Sequence, residues 1–81
     1  MHISIDNLPP GVTEEEVREF LGTSDEIESI RLTDAGNADN VVAVVTVSSS
    51  QTGANAIADF INGRFFKDRR VSAQALGLLK E

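Results

Sequence analysis

Three sets of residues in this chain can do chemistry. Between positions 64 and 70, Arg64, Lys67, Arg69 and Arg70 stand against Asp68 alone. Such a run can contact phosphates, and its guanidinium groups can stack on bases. Phe65 and Phe66 lie inside it, and an exposed aromatic beside cations offers a partner both apolar area and charge. The second set runs from Glu14 to Glu28, where seven acids (Glu14, Glu15, Glu16, Glu19, Asp25, Glu26 and Glu28) face Arg18 as the sole cation. That segment suits a basic partner, and Glu in a first helical turn is also favoured by the helix dipole alone. The third set is dispersed: His2, Ser4, Arg31 and Gln74 are hydrogen-bonding side chains at the outward positions of alternating segments.

Catalysis and metal binding find little to work with. There is one His and no Cys or Tyr, and no glycine-rich phosphate loop follows the first apolar segment. The convergent groups of a nucleophile, a redox centre or a metal site are missing. Asp34 to Asp39 lacks the oxygen-ligand spacing of a calcium loop and reads as a turn. No enzyme activity, no cofactor and no metal are expected.

With 81 residues, 41% of them hydrophobic and 25% charged, the chain matches one small globular domain. That is near the size at which a single apolar core just holds a fold. The lack of Cys excludes a disulfide-stapled scaffold. Neither a targeting signal in MHISIDNLPP nor an apolar window of membrane length is visible. An intracellular monomer with no membrane association is the expectation. A net charge of −6 opposes a grip on nucleic acid through bulk electrostatics.

These residues must be positioned by elements the pattern itself predicts. Ile3 and Ile5 alternate with His2, Ser4 and Asp6 as in a half-buried strand, which Asn7-Leu8-Pro9-Pro10-Gly11 should end. Thr13 and Glu16 form a capping box for a helix burying Val17, Phe20 and Leu21 and stopping at Gly22. Ile27 to Thr33 predicts a second strand with Ile30 and Leu32 inward, and the turn formers from Asp34 to Asn40 return the chain as Val41 to Val47. That run is nearly all β-branched and fits the middle of a sheet. Ser49 or Ser50 caps a second helix carrying Ala54, Ile57, Ala58 and Ile61 to Asn62-Gly63. Arg64 to Asp68 is a turn or short hairpin, and Val71, Ala73 and Ala75 mark a final strand. The domain should occupy residues 1–76, with 77–81, including Leu78 and Leu79, as a tail. The order β-α-β-β-α-β closes into a ferredoxin-like α+β sandwich: a four-stranded antiparallel sheet, two helices on one face and the other face open.

On these residues the chain resembles the RNA recognition motif (RRM) family over nearly its whole length. Ile3-Ser4-Ile5-Asp6-Asn7-Leu8 is similar to the family's first-strand hexamer, and Thr13 to Leu21 to its first helix. Asn40 to Val47 falls where the third-strand octamer lies, and Asn62 to Val71 resembles the run into the fourth strand. The resemblance implies single-stranded RNA as partner, bound by aromatics at the second hexamer position and the third and fifth octamer positions. Here those positions hold Ser4, Val42 and Val44, and the octamer's basic and glycine positions hold Asn40 and Val41. Stacking is worth about 1–3 kcal/mol per base, so losing such platforms weakens sheet-face binding about a thousandfold or more. The remaining RNA-binding candidates are His2, Ser4, Arg31, Val42, Val44 and Gln74 on the sheet and Arg64, Lys67, Arg69 and Arg70 in the basic turn.

A second function is open. The splicing-factor homology modules of the same superfamily grip a peptide tryptophan with an Arg-x-Phe loop, while an acidic first helix receives basic residues. Arg64-Phe65-Phe66 matches that loop, and Glu15, Glu16 and Glu19 supply the acidic helix. In the plain structural reading Phe66 closes the core and Phe65 is exposed. The two expectations are therefore a weak or atypical RNA-binding module and a peptide-interaction module.

Overall fold

The computed structural model describes residues 1–22, 26–34, 39–48 and 50–76. The expected tail at 77–81, the centre of the acidic turn at 35–38, and the alternative cap Ser49 lie outside the described residues. The elements run β1 (His2–Leu8), α1 (Glu14–Leu21), β2 (Ile27–Thr33), β3 (Val41–Val47), α2 (Gln51–Ile61), β4 (Phe65–Phe66), β5 (Arg69–Arg70) and β6 (Ser72–Ala75). Four strands make one sheet in the order β2-β3-β1-β6, each pair antiparallel. This is the ferredoxin-like arrangement expected from the element order, with a small β4-β5 ribbon added between α2 and the last strand.

The alternation in each strand decides which face is covered. Ile3 and Ile5 of β1, Ile30 of β2 and Ala43, Val45 and Val47 of β3 are buried. They pack with Val17 of α1 and Ala54, Ala58 and Ile61 of α2 in one core. The β-branched β3 sits between β2 and β1, as its composition predicts. Both helices begin as their sequences direct. Thr13 Oγ1 accepts from the Glu16 backbone N–H at 3.2 Å, and Glu16 Oε1 accepts from the Thr13 N–H at 3.0 Å. Ser50 Oγ accepts from the Gly53 N–H at 3.4 Å. At the end of α1 the Gly22 N–H reaches the carbonyls of Arg18 and Glu19, with a φ of 89° that a side chain would resist.

The first strand departs from its expected limit. It does not stop at Asp6 but runs to Leu8, through an irregularity between Ile5 and Leu8 that lets Leu8 pair with Val41. The reason is Asn7, whose φ of 72° is left-handed. Asparagine tolerates that region better than other residues with a Cβ. Such an extra residue lets the buried side resume at Leu8, which is fully buried. The basic turn is also more ordered than a plain loop. Phe65 pairs with Arg70 and Phe66 with Arg69, and Lys67 and Asp68 take φ values of 50° and 67°, as a type I′ hairpin turn needs.

Asn7 then holds three segments together. Its N–H donates to Asn40 Oδ1 at 2.9 Å, its Nδ2 donates to the Arg70 carbonyl at 2.9 Å, and its Oδ1 accepts from Arg69 Nη1 at 3.5 Å. Two substitutions separate its contributions. Asn7→Gly keeps the backbone free but removes the side-chain bonds, and should cost about 1–2 kcal/mol. Asn7→Ala adds the left-handed penalty and should cost about 1–2 kcal/mol more. Urea unfolding monitored by circular dichroism measures both, and equal losses would contradict a conformational role.

Candidate nucleic-acid interface

The open face of the sheet carries the outward residues of each strand, and the pairing aligns them. Arg31 of β2 lies opposite Val44 of β3, Val44 opposite Ser4 of β1, and Ser4 opposite Gln74 of β6. These four residues form one row across the whole sheet. Neighbouring strands lie about 4.8 Å apart, so the row spans about 14 Å. On one side of it Thr33 lies opposite Val42, and on the other His2 lies opposite Thr46. Arg31, His2 and Gln74 are exposed, and Ser4, Val42 and Val44 are half-buried. Ser4 Oγ donates to Asp6 Oδ1 at 3.3 Å. The structure thus gathers His2, Ser4, Arg31, Val42, Val44 and Gln74 on one face, with no Phe, Tyr or Trp among them.

The four basic-turn residues occupy other places. Arg69 is half-buried, and its Nη1 donates to the Asp39 carbonyl at 2.5 Å and the Leu8 carbonyl at 3.4 Å. It clasps the end of β1 to the start of β3. Arg64 lies over two rings, 4.4 Å from the centroid of Phe60 and 5.8 Å from that of Phe20. Arg70 lies 5.8 Å over Phe65, and its Nε donates to the Gly63 carbonyl at 3.3 Å. Lys67 pairs with Glu16 at 2.5 Å and lies 5.7 Å from the Phe66 ring. Arg64 and Lys67 therefore belong with the two helices rather than with the row on the sheet.

The aromatic residues divide as the plain reading of the turn expects. Phe66 is half-buried, packed against the core and 4.9 Å from Phe20, while Phe65 is 66% exposed. Of the acidic helix residues, Glu15 and Glu19 are exposed and Glu16 is the one engaged by Lys67. Four residues near the row escaped the sequence reading as site candidates. Asp6, Asn62, Ser72 and Ala73 join Ser4 and Gln74 around a groove of about 230 Å³ beside β6. The outward position of Asp6, two residues after Ser4, was the available clue. Phe60 was missed as well, although it is 59% exposed.

The Lys67 ammonium, and after it the Thr13 backbone N–H, hold the Glu16 carboxylate below its ordinary pKa. A lowered folded-state value means that the pair's contribution is present above the unfolded-state pKa and is lost as pH falls through the folded one. Lys67→Met should move the Glu16 titration back up toward the usual carboxylate range, as followed by carbon NMR of the side-chain carboxyl. The stabilities of variant and wild type should converge in acid, and an unmoved titration would contradict the pairing.

Comparison with known proteins agrees with this geometry. The family model for the RNA recognition motif matches residues 3–72. A search of curated protein sequences finds no match. Among solved structures, the RRM3 domain of Mip6 is 25% identical, with a TM-score of 0.74 over 89% of this chain and 87% of that one. The RRM3 of Pes4 is 22% identical, with a TM-score of 0.81 over 99% and 95% of the two chains. The Rna15 RRM, solved with bound RNA (GU), is 12% identical, with a TM-score of 0.73 over 95% and 83%. The last two speak to the fold alone. With a family match over most of its length and the sheet, helices and strand order to accompany it, the chain belongs to the RNA recognition motif family.

Proposed function

We propose that this chain is a non-catalytic binding module that takes single-stranded RNA weakly, across the open face of its sheet. The observation that carries the reading is the row Arg31, Val44, Ser4 and Gln74, which joins a cation, an apolar spot and two hydrogen-bonding groups in register. Arg31 is exposed and holds no ion pair among the described residues. It can meet a phosphate or lie flat on a base. Val44 gives a base an apolar contact without a π-face, and Ser4 and Gln74 can bond base edges. Membership in the RRM family and the bound RNA of the structurally similar Rna15 domain support the class of ligand. Weakness follows from the missing rings, since each stacking platform is worth about 1–3 kcal/mol.

Affinity measurements on a labelled mixed-sequence RNA at low salt test this directly. Arg31→Ala should weaken binding several-fold and flatten the salt dependence by about 0.7 in the log–log slope, the effect of one lost phosphate contact on a single strand. Val44→Phe should tighten it by about tenfold by restoring one platform. No change in either variant would contradict a sheet-face site.

A second reading places a peptide on the helix side. It is supported by the exposure of Phe65 and Phe60, at 66% and 59%, and by the position of Arg64 between Phe60 and Phe20. The acidic helix is less available than its composition suggests, because Glu16 already holds Lys67. A basic peptide must displace that lysine to reach Glu16, while Glu15 and Glu19 are exposed. A basic peptide containing one tryptophan should shift the backbone amides of Arg64, Phe65 and Phe66 in the labelled chain if this reading holds, and unshifted amides there would end it.

A further inference from the structure

Building on the RNA reading, we propose that the groove beside β1 and β6 is a guanine-selective base site in which Asp6 determines specificity. The groove is lined by Ser4, Asp6, Asn62, Ser72, Ala73 and Gln74. Among the described residues no cation lines it, and Asp6 repels a phosphate there. A base is the part of an RNA strand that suits such a polar, uncharged surface with one anionic point.

The donors and acceptors choose among the bases. Asp6 is exposed on the outward side of β1, directly opposite Ser72. An ionised carboxylate only accepts hydrogen bonds, and its two oxygens offer about four acceptor sites. The hydroxyl of Ser4 occupies one of them, on Oδ1. Guanine presents two adjacent donors, N1–H and the N2 amine, to a carboxylate. Adenine and cytosine each present one exocyclic amine beside a ring acceptor that the carboxylate repels. Uracil presents one N–H between two carbonyls. The complementary requirement is a donor for the guanine O6. Asn62 is suited to this role, because its Oδ1 already accepts from the Ala73 N–H at 3.0 Å and its amide hydrogens remain to donate. Gln74, the next outward residue from Ser72 along β6, supplies a second amide. Placed at the end of the cross-strand row, the groove fixes one base while the strand runs over Val44 toward Arg31.

The test uses the full chain and labelled uridine octamers that carry one central guanosine, adenosine or cytidine, with all-uridine as reference. Asp6→Asn is the variant, since it retains an acceptor for the Ser4 hydroxyl while removing the charge and one acceptor oxygen. The guanosine octamer should bind wild type about tenfold more tightly than the other three, the lower end of what a two-bond base contact discriminates. In Asp6→Asn that gap should close, while the all-uridine octamer binds as well as before or better. Equal binding of the four octamers to wild type, or a guanosine gap that survives in Asp6→Asn, overturns the guanine site and leaves RNA binding intact. Failure of all four to bind overturns the RNA reading and the guanine site together.

Discussion

Asn7 sits in a left-handed conformation at the end of the first strand and bonds to residues 33 and 63 positions away. Its backbone lets β1 change register after Ile5, so that Leu8 continues the buried side against Val41. Its side chain meets Arg69 and the carbonyl of Arg70, which binds the β4-β5 ribbon to the sheet. Arg69 completes the junction by reaching the carbonyls of Leu8 and Asp39. Because β1 lies between β3 and β6, this junction stands where the sheet, the basic ribbon and the end of the β2-β3 connection meet. Arg69 thus points one nitrogen, Nη1, at three oxygens of the fold.

That division explains how an RRM fold can persist while its usual binding surface changes. The covered face depends on Ile3, Ile5, Ala43 and Val45, which face the helices. The outward residues Ser4, Val42 and Val44 are not part of that core, so aromatic rings there contribute to ligand binding rather than to burial. All four phenylalanines stand elsewhere: Phe20 on α1, Phe60 on α2, and Phe65 and Phe66 on β4. Phe20 and Phe66 pack together, and Arg64 extends over Phe20 to Phe60. The protein therefore has a sheet face without Phe, Tyr or Trp and an aromatic, cation-capped helix side.

Much of this fold was legible in the sequence, because its strongest cues are local. The alternation from Ile27 to Thr33 and the β-branched run from Val41 to Val47 give both strands with their observed limits. The Thr13–Glu16 box and Ser50 mark the helix starts for the same reason: a cap is chosen within four residues of the backbone groups it satisfies. What stayed hidden depended on contacts between distant segments. Asn40 reads as the loss of a phosphate-binding residue, yet its side chain accepts the Asn7 N–H. Arg69 reads as one cation among four until its carbonyl partners are seen, and Lys67 until it is found on Glu16. The candidate site was half legible in the same sense. Strand alternation placed Ser4, Arg31 and Gln74 outward, and the family resemblance put Val44 on the same face, but only the register puts them in one row, and only the approach of Asn62 to Ala73 closes the groove beside Asp6.

The proposed binding chemistry lies along the row from Arg31 to Gln74, on a sheet face without Phe, Tyr or Trp. The most direct measurement is a map of backbone amide shifts in the isotopically labelled chain, titrated with mixed-sequence single-stranded RNA at low salt. Progressive shifts at Ser4, Arg31, Val44 and Gln74, with Arg69 and the core strands' inward residues little changed, are the predicted result. A sheet face that stays silent at high RNA concentration, or shifts confined to the β4-β5 ribbon and helices, would contradict it.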